Sequence, residues 1–149
     1  MSRSVRLVLA LAFVAVLAVG NVASTVAGGP KVLDAQMTGI PTAGLTLDGV
    51  IGGGSPWVLD GGHARLFADG RLEVQIEGLV LASSHTNPVT SGHAIVTCNG
   101  SPAATTADVP FSPDGNAEVE ATVTLPSPCL APAVFFTTGT DRWLAVTGF

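Results

Sequence analysis

The chain has 149 residues, enough for one domain and short for two. Eleven acids face six Lys and Arg, for a formal charge of −5. Arg3 and Arg6 lie in an N-terminal segment that reads as a removable leader. Without them four cations remain, a net charge of −7. Such a domain has no basic groove for phosphates and no attraction to anionic lipid, so neither nucleic acid nor a membrane surface is an expected partner.

Residues 1–27 have the three parts of a secretory signal. Arg3 and Arg6 start it, the apolar run LVLALAFVAVLAV (residues 7–19) follows, and small residues lead to Ala27. Thirteen apolar residues fall short of the roughly 20 that span a bilayer core. Cleavage after Ala27 is expected, with a site near Ala23 and a retained anchor helix as alternatives. No Cys follows the run, so a lipid anchor is not expected. Residues 28–149 are then a single soluble domain, secreted or extracytoplasmic, with no membrane association after cleavage. The excess of Ala, Gly and Val, with Arg preferred to Lys, suits a GC-rich bacterial genome.

In chain order, residues 28–30 read as a flexible start, and 32–37 and 45–50 as weak strands. Gly52-Gly53-Gly54-Ser55-Pro56 reads as a loop and Trp57-Val58-Leu59 as a short strand. His63–Phe67 and Arg71–Leu81, joined at Asp69-Gly70, predict a hairpin, because Gly accepts the positive φ such turns demand. Leu72, Val74 and Ile76 alternate with Glu73, Gln75 and Glu77, so one face is buried and the other wet. Residues 82–90 (ASSHTNPVT) form a polar loop, and Gly92–Cys98 a strand ending at the turn pair Asn99-Gly100. Residues 105–111 lead to a second turn at Asp114-Gly115 and a long alternating strand, 116–125. Residues 134–138 and 142–147 form a last pair. ADGRLEV (68–74) echoes PDGNAEV (113–119), either as two hairpins of one kind or as two related halves.

Nothing after the leader has helical periodicity. One-sided strands need a second layer over their apolar faces. The expected fold is all-β: an antiparallel β-sandwich of about 7–9 strands, immunoglobulin-like or jelly-roll-like, with a closed barrel as runner-up.

Two Cys in an exported domain predict the disulfide Cys98–Cys129. Neither a CxxC motif nor a Cys/His cluster supports a metal or redox role for the pair. His63, His85 and His93 are candidate zinc ligands, but gaps of 22 and 8 residues place them in no known motif. Serine catalysis lacks a GxSxG elbow. Glu73, Glu77, Glu118 and Glu120 are candidate glycosidase carboxylates, set against the plainer reading of a solvated strand face. Residues 52–54 lack the Lys and helix of a phosphate loop. Trp57 and Trp143 are the only large aromatic platforms for a glycan. Trp57 is placed beside the Gly-rich loop and potentially exposed, Trp143 in the core. Binding residues concentrate on polar loops, which singles out His85, Asn87 and Trp57. Asn99-Gly100-Ser101 is a formal glycosylation sequon and equally a hairpin turn.

The stretches PWVLDGGHARLFADGRLEVQIEGLVLA (56–82), CNG (98–100) and SPDGNAEVEATVTLPSPCLAPAVF (112–135) resemble a set of small secreted bacterial proteins without assigned activity. That resemblance implies a secreted domain and carries no catalytic residues. In composition and size the mature chain is also similar to the enediyne-binding apoproteins of the neocarzinostatin type. Those are acidic secreted immunoglobulin-like sandwiches, normally with two disulfides where this chain can form one.

The sequence therefore leads to a secreted, non-catalytic binding or interaction module for an extracellular ligand or protein, without a cofactor. The alternative is a small secreted metal-dependent or hydrolytic enzyme built on one of the histidines.

Overall fold

A computed structural model describes residues 29–148; the expected leader, residues 1–27, lies outside them. The described residues contain thirteen strands and no helix, so no helix is long and apolar enough to cross a membrane. The strands are β1 (Lys31–Gly39), β2 (Thr46–Leu47), β3 (Val50–Ile51), β4 (Trp57–Val58), β5 (Gly61–Phe67), β6 (Arg71–Glu77) and β7 (Val80–Leu81). They continue as β8 (Ser91–Cys98), β9 (Ser101–Thr105), β10 (Val109–Pro110), β11 (Ala117–Thr122), β12 (Ala133–Thr138) and β13 (Trp143–Thr147).

Nine of them form one antiparallel sheet in the order β10-β8-β12-β13-β1-β5-β6-β11, with β9 beside β8. The sheet curls until its halves face each other, because β1 belongs to both. Residues 31–36 pair with β5, and Met37–Gly39 pair with β13. No ladder joins β10 to β11, so the sandwich stays open along one side and the barrel is not closed. Two short ribbons, β2–β3 and β4–β7, complete the fold.

The core follows from the strand alternation. Ala64, Leu66, Leu72, Val74, Ile76 and Val119 point inward from one half, and Ala94, Val96 and Phe136 from the other; all are buried. Each large apolar side chain so placed contributes about 1.5–3 kcal/mol. Trp57, Phe111 and Phe136 bridge the halves, with ring centroids 6.4 and 5.1 Å apart. Cys98 and Cys129 form the expected disulfide, which ties the end of β8 to the segment before β12.

The predicted turns at Asp69-Gly70 and Asn99-Gly100 connect β5–β6 and β8–β9. Two expectations need correction, the strand 45–50 and the second hairpin. The predicted strand 45–50 is broken by a two-residue turn at Asp48-Gly49, both at positive φ, into the ribbon β2–β3. Residues 105–111, which lead to the second turn, hold the end of β9 and all of β10 with a kink between them. Asp114-Gly115 does not close a hairpin. It carries the chain across the open side, and β11 pairs with β6. The echo between 68–74 and 113–119 is thus one of turn chemistry, not of repeated hairpins.

Candidate functional site

The wet faces of β1, β5, β6 and β11 lie side by side, and register fixes two rows across them. Asp34, Arg65, Glu73 and Glu120 are successive partners, as are Gln36, His63, Gln75 and Glu118. Partners in an antiparallel pair share a face. Arg65 Nη1 and Arg71 Nη1 both bond Glu73, at 3.2 and 2.7 Å, and the Arg71 guanidinium lies 3.8 Å from the Phe67 ring centroid. Asp34 accepts from Lys31, and His63 Nε2 lies 2.7 Å from its Oδ1. The hydrogen bond from Lys31 holds the Asp34 carboxyl below the usual carboxylate range. At the hairpin turn, backbone N–H groups of Arg71 and Gly29 do the same for Asp69.

These cations sit at one end of the face. At the other end, a shallow groove of about 870 Å³ holds the carboxylates of Asp60, Glu77, Asp114 and Glu118 with the amides of Gln75 and Asn116. Asn116 is anchored, since its Oδ1 accepts from Gly78 N at 3.0 Å. None of the four carboxylates has a hydrogen bond or ion pair among the described residues. Clustered unpaired anions repel one another and raise the local concentration of cations. Alternation in the sequence marked each glutamate as solvent-facing. It did not bring β6 and β11 together, so the groove was not visible there.

A second constellation lies in the other half. His93 on β8 is buried between two carboxylates, with Nδ1 2.7 Å from Asp108 and Nε2 2.8 Å from Asp141. Thr106 sets this up at the kink. Its Oγ1 accepts from Ala94 N in place of a backbone carbonyl, which lets the chain turn Asp108 over the ring. Asp141 comes from the β12–β13 turn. Each ring nitrogen thus has its own carboxylate partner. With both nitrogens occupied, His93 is a clasp joining two loops to β8.

His93→Ala is expected to cost about 2–3 kcal/mol, within the range for hydrogen bonds to charged groups, because the freed Asp108 and Asp141 are more than half exposed and rehydrate. In urea unfolding, Asp141→Asn should destabilise the wild type and have little effect in the His93→Ala background. Equal effects in both would show that the clasp carries no coupling.

The three histidines are in separate places. His63 is on the polar face, His93 is in the clasp, and His85 is exposed in the turn after β7 at φ 53°. Among the described residues no group of three or more His, Cys, Asp or Glu is placed to hold a metal ion. Asn87 is occupied structurally. Its Nδ2 donates to Val89 O and Ser112 O at 2.8 and 2.7 Å, and its Oδ1 accepts from Val89 N. Trp57, expected beside the loop as an exposed platform, is buried against Phe111. Trp143 is in the core as expected, and its Nε1 donates to Leu45 O at 2.8 Å. The first two glycines of the Gly-rich run pack closely: a Cβ on Gly52 would lie 2.3 Å from Ile40 Cδ1, whereas Gly54 faces open space. Asn99 is also used, bonding Pro128 O and Leu130 N across the disulfide loop.

No family model matches the chain, and neither the curated proteins nor the solved structures contain a significant match to it.

Proposed function

We propose that the domain is an exported, non-catalytic binding module whose ligand-facing surface is the polar face of β1, β5, β6 and β11, and whose ligand is cationic. The leader and the disulfide support export. The observation that supports the binding reading is the groove lined by Asp60, Glu77, Asp114 and Glu118, four acids without partners among the described residues. A fold stabilises a cluster of like charges poorly unless something of opposite sign completes it.

The test is an amide NMR titration of the purified protein with spermine at low ionic strength. Shifts are expected to concentrate on Glu77, Gly78, Asn116 and Glu118, to vanish in the Glu77→Gln/Glu118→Gln variant, and to weaken at about 0.15 M salt. An equal response at every surface acid, Asp108 and Asp141 included, would overturn the reading. So would stoichiometric zinc in the purified protein, which would favour the enzyme.

A further inference from the structure

We infer that the free edge of β11 accepts an extended cationic segment of a partner protein as an added strand. This rests on the binding reading above and names its partner class. The phase of the β6–β11 ladder is fixed where Val123 N donates to Gly70 O at 2.9 Å. Counting back along the register, Ala117, Val119 and Ala121 turn their backbone groups toward β6. Glu118, Glu120 and Thr122 turn theirs away from it. All three residues are exposed, and nothing among the described residues pairs with those backbone groups. An unpaired row of N–H and C=O groups is a template for another strand.

The opposite end of the sheet offers no such row. There β9 contains Pro102, β10 is two residues long and ends in Pro110, and the Asp108 kink separates them. Proline and kinks blunt an edge. The six residues of β11 contain neither.

Charge selects the occupant. Side chains of an added strand that lie opposite Glu118 and Glu120 share the outer face with them and extend the two rows that run through Glu73 and Gln75. A second copy of β11, added antiparallel and centred on residue 119 or 120, would set glutamate against glutamate. Lys or Arg at alternate positions meets both glutamates. The intervening side chains fall on the inner side, beside buried Val119 and half-buried Ala117 and Ala121, and should be apolar. The partner segment therefore alternates cationic and apolar residues over about five positions.

The probe is the capped peptide Lys-Val-Lys-Val-Lys, titrated into the purified protein at low salt, with Glu-Val-Glu-Val-Glu as its control. Binding with a dissociation constant on the order of 100 μM is expected, with the largest amide shifts at Glu118, Glu120 and Thr122. Glu118→Gln/Glu120→Gln should weaken it at least about fivefold. Glu120→Pro should abolish it. The N–H that proline removes points to the free edge, so the ladder to β6 and the spermine response of the groove should survive.

Binding that tolerates Glu120→Pro would be a side-chain contact only and would overturn strand addition. Failure of the peptide with an intact spermine response would overturn strand addition and leave the groove reading standing. Failure of both probes would overturn both.

Discussion

Replacing Cys98 and Cys129 together by alanine is expected to lower the unfolding free energy by about 3–4 kcal/mol, read from urea unfolding against the oxidised wild type. The closed loop spans a sequence separation of 31, which sets the chain entropy that the link removes from the unfolded state. That is a large fraction of a small domain's net stability, generally about 5–15 kcal/mol. Structure on both sides holds the link in place. Cys98 is buried at the end of β8, and Asn99 bonds both Pro128 O and Leu130 N around Cys129. The native segment before β12 therefore stays docked without the bridge, and the loss should appear in the unfolding midpoint and not as a change of fold. A loss under about 1 kcal/mol would show that these local bonds, and not the covalent link, order the loop.

Gly115→Ala is expected to be similarly severe, at about 3 kcal/mol or more, and Gly100→Ala mild, at about 1 kcal/mol. Both glycines have left-handed backbones, at φ 81° and 77°. They differ in what a Cβ would meet. At Gly100 there is open space. At Gly115 the Cβ would lie 2.4 Å from Leu79 O and 2.5 Å from Leu79 N, both backbone atoms that cannot rotate away. The turn is also bonded there, with Leu79 N donating to Gly115 O at 2.9 Å. Thermal unfolding of the two variants side by side separates backbone strain, common to both, from the steric term. Equal losses would refute the steric argument.

Gly115 also shows where sequence reading stops. The Asp-Gly pair announces a tight reversal at 114–115 as clearly as at 69–70, because the requirement for positive φ is local. Which strands flank the reversal is not local. Residues 71–77 return onto β5, whereas β11 crosses to β6, its register set by burying Val119 beside Val74. Alternation in β6 and β11, the all-β class and the disulfide were legible for the same reason: each depends on neighbours in sequence or on there being two cysteines to pair. The groove needs Asp60 and Glu77 beside Asp114 and Glu118. The clasp needs His93 beside acids 15 and 48 positions away. No spacing rule encodes such meetings. Trp57 departs from the exposed platform that the nearby glycines suggest, because Gly52 and Gly53 pack closely and Trp57 itself is buried, while Gly54 and Pro56 between them stay exposed.

One further consequence comes from the pairing of β1 with β13. Met37 lies opposite Thr147, and β13 is an interior strand with β12 on its other side. A chain that is synthesised or threaded N-terminus first must therefore hold β1 half-paired until residues 143–147 arrive. Until then the exposed flanks of β1 and β12 are open to mispairing. Such long-range closure belongs to slow folders. It also makes completion of the sheet an all-or-none event, so removing β13 should leave no folded remnant.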